Sequence, residues 1–359
     1  MKRRAAKTGT SSSRERAENI GFRPYDCVFR LNAGGATGLG HLRRSLVLAQ
    51  ALRKRGLRKI AFVTRTPEAV KPEITPFDLI PIAPAHSEFS FWKEFSKAGG
   101  PRMTVFDCYA ISVSMLKALR SILPLMVFID DFGHLPNYPV DVLINPNVHG
   151  RSMNYKALPF TRILRGPEYA LIDPFFRNVS PVDRNAKRPL CFVSLGGAPG
   201  FHALEKLIKI FSRFRGGLRV DIATGLTHNR PRLPQGSPVR YRSGAEARRA
   251  MKACHFAFSA SGVTSSELAA MGKPSLLVIL AKNQERISRA MHRLKMARSL
   301  GWFLKLKEEK IAAAIKKFMP DSALQKRLSA RARKAIDGKG ADRLADALVH
   351  AFKNSKEKK

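Results

Sequence analysis

Short apolar runs alternate with longer amphipathic segments along most of the chain. Nine runs have the length and β-branched content of buried strands, and their sequences are YDCVFRLN, KIAFVTR, MTVFDCY, LMVFID, DVLIN, PLCFVSLG, LRVDIATG, CHFAFSAS and PSLLVIL. Between them lie segments with apolar residues at helical spacing, such as HLRRSLVLAQALRKRG. Strands that alternate with helices predict α/β domains with parallel sheets.

The alternation restarts after PVDRNAKRP, a polar, proline-bounded stretch suited to a linker. A chain of 359 residues exceeds one ordinary core, which favours two domains. From about Glu308 the sequence becomes helical and basic. We predict a disordered basic leader (1–24), an N-terminal Rossmann-like domain (25–180), a linker (181–189), a C-terminal Rossmann-like domain (190–335) and a C-terminal helix with a basic tail (336–359).

The net charge of +38 is extreme, and the two ends, 1–24 and 353–359, carry only +5 and +3 of it. Such a field favours polyanions, anionic membrane surfaces and acidic substrates, although a proteome-wide basic bias explains it equally well. Zinc-finger spacing and aromatic ribonucleoprotein motifs are absent from the sequence, so we expect no specific nucleic-acid binding.

Targeting signals and cysteine spacing also narrow the class of protein. The sequence has neither an apolar run of membrane-spanning length nor a secretory signal. Its four cysteines are far apart and lie beside strand-like residues, as reduced core thiols do. We expect a soluble cytoplasmic protein with at most peripheral association with an anionic membrane.

The stretch GGATGLGHLRRS (34–45) places four glycines and a histidine between the first strand and the first helix. A P-loop requires Lys and Ser/Thr after the last glycine, but His41 follows Gly40 here. A dinucleotide fingerprint requires a third glycine at Arg43 and an acidic residue where the second strand ends in Arg65. The P-loop is therefore excluded, and the match to the dinucleotide fingerprint is weak.

What remains is a glycine loop that presents His41 in the first turn of a helix, at the carboxyl end of a strand. Ligands of open α/β sheets bind at this edge. The helix dipole disfavours imidazolium, which keeps the imidazole neutral and basic. His41 is therefore a candidate catalytic base; the alternative is an exposed histidine with no role. Arg44, on the same turn, meets an anion or is simply solvated.

A second candidate site lies in SASGVTSSELAAMGKPSLLVILAKNQ (259–284). A strand ends at Ser259 and a helix begins near Val263, where free N–H groups form an anion site. Glu267, one turn into the helix, is placed to reach ribose hydroxyls, and the next strand is expected to end in AKNQ. SLGGAPG (194–200) has the same strand–turn arrangement. The alternative is an ordinary βαβ unit, but the two loops together favour phosphate binding.

Eight short motifs follow one another in a definite order. They are RLN with GLGHLRR (30–44), DCY (107–109), IDD (129–131), DVLINPN (141–147), GPEYALIDPFF (166–176), SLGG (194–197), SGVTSSELAAMGKP (261–274) and NQ (283–284). This ordered set, from about residue 26 to about residue 300, resembles the UDP-sugar hydrolase of pseudaminic acid biosynthesis and the related spore-coat polysaccharide proteins.

The resemblance implies a GT-B-like α/β fold, in which two Rossmann-type domains face each other across a cleft. It implies release of UDP from UDP-2,4-diacetamido-2,4,6-trideoxy-β-L-altropyranose by water attack with inversion at the anomeric carbon, without a metal or cofactor. His41 would be the general base. The implied site comprises catalytic residues (His41, Asn32, Tyr109), nucleotide- and phosphate-binding residues (Gly38, Gly40, Arg44, Gly196, Gly197, Ser261, Gly262, Val263, Thr264, Glu267) and sugar-binding residues (Asn283, Gln284), with Tyr109 also facing the sugar.

The sequence departs from the family pattern at two places. Asn32 stands where the family has an Asp, so a neutral amide replaces a carboxylate expected to orient the histidine. Ala198 and Pro199 stand where an acidic residue often follows the SLGG turn. Either change is compatible with a different sugar, with an acceptor other than water, or with lost activity.

Three functions remain open, and the hydrolase is favoured because the whole motif order fits it. The alternative is a glycosyltransferase on the same scaffold, which passes a sugar from a UDP-sugar to a hydroxyl acceptor at a membrane held by the basic helices after Glu308. An apolar acceptor groove would favour transfer, and a small closed cleft would favour hydrolysis. A polyanion binder would instead show salt-dependent binding and no UDP site.

Overall fold

The computed structural model describes residues 23–34, 38–180, 182, 186–197, 199–225, 227 and 229–355. Most of the predicted leader, part of the predicted linker and the end of the basic tail therefore lie outside the described residues. The described residues form two α/β domains, each built on a parallel sheet. Within them, none of the helices combines the length and the apolar character needed to cross a membrane.

The N-terminal sheet has seven parallel strands in the order β3-β2-β1-β4-β5-β6-β7. Their bounds are β1 Tyr25–Leu31, β2 Ile60–Thr64, β3 Asp78–Pro81, β4 Pro101–Asp107, β5 Met126–Ile129, β6 Val142–Asn145 and β7 Arg162–Arg165. In β1, Cys27 and Phe29 pack into the core on one face of the sheet, and Val28 packs into the core on the other. This alternation explains why the central strand is apolar throughout.

The C-terminal sheet has six parallel strands in the order β10-β9-β8-β11-β12-β13. Their bounds are β8 Leu190–Ser194, β9 Arg219–Ala223, β10 Val239–Arg242, β11 Phe256–Ala260, β12 Ser275–Ile279 and β13 Arg298–Trp302. The α/β fold with parallel sheets predicted from the sequence is thus confirmed.

The α-helices connect and cover these strands. Their bounds are α1 Gly40–Lys54, α2 Pro67–Val70, α3 Glu88–Lys97, α4 Val113–Leu119, α5 Phe201–Ser212, α6 Gly244–Ala253, α7 Val263–Ala270, α8 Lys282–Arg293, α9 Glu308–Phe318, α10 Ser322–Ala335 and α11 Gly340–Asn354. The predicted N-cap Asp321 accepts a hydrogen bond from the backbone N–H of Leu324 at 2.9 Å, at the start of α10.

The last helix, α11, packs against the N-terminal domain although it follows the C-terminal one. Leu344, Leu348 and Phe352, at helical spacing, are buried in the same core as α1. A Cβ added to Gly340 would lie 2.3 Å from the carbonyl oxygen of Ala170, so only glycine allows this close start of the helix. The chain therefore crosses back between the domains.

Candidate active site

The strand order places two pairs of loops opposite each other. In each sheet the strand order reverses between the first strand and the fourth, at β1/β4 and at β8/β11. Loops at the carboxyl ends of such strands diverge and leave a crevice for a ligand. A cavity of about 260 Å³ lies there, and residues from both domains line it.

The two domains approach each other closely at the glycine loops. A Cβ added to Gly40 would lie 3.5 Å from Cγ2 of Val263, and one added to Gly197 would lie 3.9 Å from the backbone nitrogen of Leu39. Small residues therefore let the first turn of α1 meet the first turn of α7 and the loop after β8.

The cavity brings together residues that are far apart in the sequence. The predicted residues that line it are Gly38, Gly40, His41, Arg44, Tyr109, Gly196, Gly197, Ser261, Gly262, Val263, Thr264, Glu267, Asn283 and Gln284. Asn32 is not among the lining residues: its Oδ1 accepts hydrogen bonds from Nη1 of Arg30 at 2.9 Å and from the backbone N–H of Arg65 at 3.2 Å. The second departure, Ala198, lies outside the described residues.

His41 is only 8% exposed and is held by a buried carboxylate. Its Nδ1 lies 2.6 Å from Oδ1 of Asp107, the last residue of β4. Burial raises the pKa of Asp107, but the opposite charge of Arg44 outweighs it and the net pKa is lowered. Because Asp107 is ionised, it can only accept a hydrogen bond. Nδ1 of His41 therefore carries the proton and donates a hydrogen bond to the carboxylate. Nε2 is then left as an acceptor, and it makes no hydrogen bond to another described residue.

The guanidinium of Arg44 is engaged by two buried aspartates. Nε donates to Oδ2 of Asp107 at 2.7 Å, and Nη1 donates to Oδ1 of Asp131 at 2.6 Å. Nη2 also contacts both carboxylates. Burial opposes the charge of Arg44, but the two carboxylates raise its pKa well above the usual value. Arg44 therefore joins the ends of β4 and β5 beneath His41.

Asp131 is the second buried aspartate that Arg44 contacts, and unlike Asp107 it lines the cavity. Burial raises its pKa, but the charge of Arg44 and its hydrogen bonds hold that pKa far below the usual range. It accepts hydrogen bonds from the hydroxyl of Tyr109 and, at 2.8 Å, from Nδ2 of Asn147. The ring of Tyr109 packs edge-on against the imidazole of His41, with 4.9 Å between the ring centroids.

The C-terminal wall of the cavity begins with helix α7. Gly262 precedes its first turn, which contains no acidic residue and no side-chain cap. The backbone N–H groups of Val263 and Thr264 donate to no other described residue, and both residues line the cavity. Unpaired donors at a helix N-terminus are suited to bind an anion.

Glu267 and Arg43 also line this wall. Glu267 is 8% exposed, and its carboxylate makes no hydrogen bond to another described residue. Burial raises its pKa to about 7, against the opposing charge of Arg43. Arg43 is exposed and forms no ion pair within the described chain. It is therefore the cation on this turn that is free to meet an anion.

Asn283 and Gln284 lie in the first turn of α8, whereas the sequence predicted the end of a strand. The preceding strand β12 ends at Ile279. Oε1 of Gln284 accepts a hydrogen bond from the backbone N–H of Leu280 at 3.0 Å, which fixes this turn beside the cavity.

Sequence reasoning assigned no role to Arg43, Asp107 and Asn147, and it left Asp131 open between ligand binding and structural capping. The three acidic and amide residues stand at or just after the ends of buried parallel strands, β4, β5 and β6. That position is itself a usable signal, because these ends meet at one edge of the sheet. Within the described residues, no group of three or more His, Cys, Asp and Glu side chains is arranged to hold a metal ion.

A larger cleft of about 880 Å³ begins beside the cavity. One side is formed by segment 132–156 of the N-terminal domain and the other by helix α8. Phe132 and His149 line this cleft, whereas the neighbouring Asp131 and Asn147 line the smaller cavity.

No protein-family model matches the chain, and no curated protein matches its sequence. Solved structures do match. CalG4, the calicheamicin glycosyltransferase, has 17% identity and a TM-score of 0.60, over 91% of this chain and 98% of that one. MurG of Acinetobacter baumannii has 13% identity and a TM-score of 0.61, over 90% and 99%. A UDP-N-acetylglucosamine 2-epimerase has 13% identity and a TM-score of 0.59, over 92% and 97%.

At this level of identity the likeness concerns the fold alone. It confirms the predicted GT-B-like architecture, with two Rossmann-type domains that face a cleft. It extends to the fold of GT-B glycosyltransferases and not to the particular hydrolase family that the motifs resemble.

Proposed function

We propose that the protein is a glycosyltransferase that moves a sugar from a UDP-sugar to a hydroxyl acceptor. The observation that carries this proposal is the pairing of His41 with Asp107 in a cavity between the two domains. A buried imidazole with a fixed proton on Nδ1 and a free Nε2 is equipped to act as a general base.

In this reaction the acceptor hydroxyl attacks the anomeric carbon of the donor. Its oxygen forms the new C–O bond, its proton passes to Nε2 of His41, and the bond from the anomeric carbon to the diphosphate oxygen breaks. UDP leaves with the electron pair of that bond. A single displacement of this kind inverts the configuration at the anomeric carbon. Asp107 then stabilises the imidazolium that forms on His41.

The leaving diphosphate is assigned to the opposite wall. The N–H groups of Val263 and Thr264 at the start of α7 stabilise the negative charge that develops on it, and the loop at Gly196 and Gly197 lies beside them. Arg43 supplies a cationic side chain. Glu267 accepts hydrogen bonds from ribose hydroxyls.

The remaining side chains are assigned by their contacts. Arg44 is a positioning residue, because its donors are directed at Asp107 and Asp131. Tyr109, Asn283 and Gln284 face the sugar. Asn32 is left without a catalytic role, and the peripheral association with an anionic membrane stays a prediction.

Hydrolysis is the second candidate, with water in place of the acceptor. It is favoured by the small volume around the buried His41, about 260 Å³, in which water is a nucleophile that fits. The family resemblance adds a specific substrate for this candidate, UDP-2,4-diacetamido-2,4,6-trideoxy-β-L-altropyranose. The adjoining cleft of about 880 Å³ favours transfer instead, because it offers space for an acceptor.

The test begins with calorimetric titration of UDP, followed by assays of UDP release from a panel of UDP-sugars that includes the diacetamido sugar. His41→Ala is expected to bind UDP normally and to lose turnover by about 10²-fold or more. His350→Ala is the matched control, since this histidine is exposed on α11 and lines neither the cavity nor the adjoining cleft.

Products separate the two candidates. UDP and free sugar in equal amounts, without an added hydroxyl compound, would establish hydrolysis. UDP release that depends on an added hydroxyl compound, with the sugar recovered on it, would establish transfer. A wild-type protein that fails to bind UDP, or His41→Ala with wild-type turnover, would overturn the proposal.

A further inference from the structure

The cleft beside the catalytic cavity is large enough to hold a second substrate. Its volume of about 880 Å³ lies within the range of small-molecule sites, roughly 300–1,000 Å³. It runs between segment 132–156 and helix α8, so both domains contribute to it.

The charges of this cleft all have one sign. Four permanently or ordinarily cationic side chains line it: Lys156, Arg286, Arg289 and Arg293. No aspartate or glutamate is among its described lining residues. Three of the four cations lie on one helix, α8, at spacings of three and four residues, which places them along one face.

Three of these cations have no carboxylate partner among the described residues. Arg286 donates to the backbone oxygen of Phe132 at 2.9 Å, and Arg289 pairs with Glu285 on the exposed surface of α8. Lys156 and Arg293 form no ion pair with any described residue. An oxyanion bound between them would supply the missing acceptor, since charge-assisted hydrogen bonds to phosphate or carboxylate are the strong ones.

The cleft adjoins the catalytic cavity along helix α8. Helix α8 contributes Gln284 and Ile287 to the cavity and Arg286 to the cleft. Nε2 of His149, in the cleft, donates to the backbone oxygen of Asp131 at 2.7 Å.

Aromatic side chains make the second connection. The ring of Phe132 lies 5.1 Å from that of Tyr109, which lies 4.9 Å from the imidazole of His41. A ligand in the cleft is therefore separated from the base by only two side chains.

We propose that this cleft binds the acceptor, and that the acceptor carries an oxyanion, a phosphate or carboxylate, near the hydroxyl that receives the sugar. The acceptor role rests on the proposed transfer function. The oxyanion site rests only on the charges that line the cleft. The cations of α8 hold the anionic group, and the hydroxyl extends past Tyr109 towards His41.

The experiment uses the full chain saturated with UDP, so that the donor cavity is occupied and its phosphate-binding loops are blocked. Glucose 6-phosphate is titrated as the anionic probe and glucose as its neutral counterpart. Phosphatidylcholine vesicles with and without phosphatidic acid test whether a lipid-borne phosphate binds the same residues. The variant is Arg289→Gln with Arg293→Gln. The control is Lys316→Gln with Lys317→Gln, an equal loss of charge on exposed residues of α9.

We expect glucose 6-phosphate, and not glucose, to bind the UDP-loaded wild type. The cleft variant should bind it about tenfold or more weakly, and raised salt should weaken the wild type similarly. Vesicle binding that requires both phosphatidic acid and the cleft arginines would place the oxyanion on a lipid. The control variant should bind like the wild type, and all variants should keep their UDP affinity.

Equal binding of glucose and its phosphate would overturn the inference, as would an equal loss in both double variants. A wild type that does not bind UDP, yet binds glucose 6-phosphate through Arg289 and Arg293, would overturn the proposed function and the acceptor role. It would leave the oxyanion site standing, so the two failures are distinguishable.

Discussion

Oδ1 of Asp107 lies 2.6 Å from Nδ1 of His41, although 66 residues separate them in the chain. The aspartate ends strand β4 and the histidine begins helix α1, so the sheet order brings them together. The family pattern places an aspartate at the position of Asn32, and its loss there suggested a histidine without a carboxylate. Asp107 supplies a carboxylate to the ring in this protein.

Asp107→Asn is expected to lower kcat by about 10²-fold or more, because an amide no longer stabilises imidazolium on His41. Donor affinity should change little, since Asp107 does not line the cavity. Ser45→Ala is the control: its hydroxyl donates to Oδ2 of the same carboxylate at 3.0 Å without touching the histidine. Steady-state rates and UDP titrations of both variants make the comparison. Equal losses of kcat in the two variants would contradict a special role for the Asp107–His41 contact.

Arg44→Leu is expected to destabilise the fold by about 3–5 kcal/mol, because it leaves Asp107 and Asp131 buried without their cation. Arg43→Leu removes one positive charge from the preceding residue. It should leave the thermal midpoint nearly unchanged and weaken donor binding. Thermal unfolding and UDP titration of both variants separate the structural arginine from the ligand-facing one.

The network of Arg44, Asp107 and Asp131 also makes the stability of the fold depend on pH. The pKa values of both carboxyls are lowered, so their stabilisation is complete above the ordinary aspartate pKa of about 4. It is lost as pH falls towards the lower folded-state values. Equal losses of stability and of donor affinity in Arg44→Leu and Arg43→Leu would contradict the assignment of Arg44 to the fold and Arg43 to the ligand.

Glu267→Gln is expected to change the pH dependence of both stability and donor binding. The folded pKa of Glu267, about 7, lies above the ordinary value of 4.5. Between these values the folded state holds more proton than the unfolded one, so wild-type stability falls as pH rises. The Gln variant does not ionise and lacks this loss of stability. Its thermal midpoint should exceed that of the wild type at pH 8, and the difference should vanish below the ordinary glutamate pKa of 4.5.

Donor binding should depend on pH in the opposite direction, because ribose hydroxyls donate better to the ionised carboxylate of Glu267. Wild-type affinity for UDP-N-acetylglucosamine, whose diphosphate does not titrate in this range, should increase as pH rises through about 7. The Gln variant should bind more weakly and with no such increase. A parallel pH profile in both proteins would remove Glu267 from the ribose site.

Asn32→Asp restores the residue of the family pattern, and we expect kcat to stay within a few-fold of the wild type. The new carboxylate oxygen can accept the same hydrogen bonds from Arg30 and from the backbone of Arg65, and Asn32 does not line the cavity. Initial rates with the best donor of the panel test this. A tenfold gain in kcat would show that the amide limits catalysis and would return Asn32 to the catalytic machinery.

The strands that the hydrophobic pattern missed share one property: β3, β7, β10 and β13 are the four edge strands of the two sheets. An edge strand is covered on fewer sides, so its sequence need not be a continuous apolar run. Arg162–Arg165 is exposed at its first two positions, and Val239–Arg242 is buried only at its first. The inner strands are buried at most positions, and six of them at every position, so their apolar runs are close to continuous.

The candidate site divides in the same way. Glycine loops and a histidine after a strand are local features, because a turn and a helix start are determined by neighbouring residues. That is why the chain alone located His41, the loops after β8 and β11, and Glu267.

The partners of these residues depend on strand order, which no local pattern specifies. Asp107 beneath His41 and Arg44 between two aspartates follow from β4 and β5 lying beside β1. The sequence by itself determined the α/β class, the central strands and the loops that form the cavity. Only the tertiary structure decided which carboxylate holds the base, which arginine is left free and which cations share a cleft, because these contacts join residues that are distant along the chain.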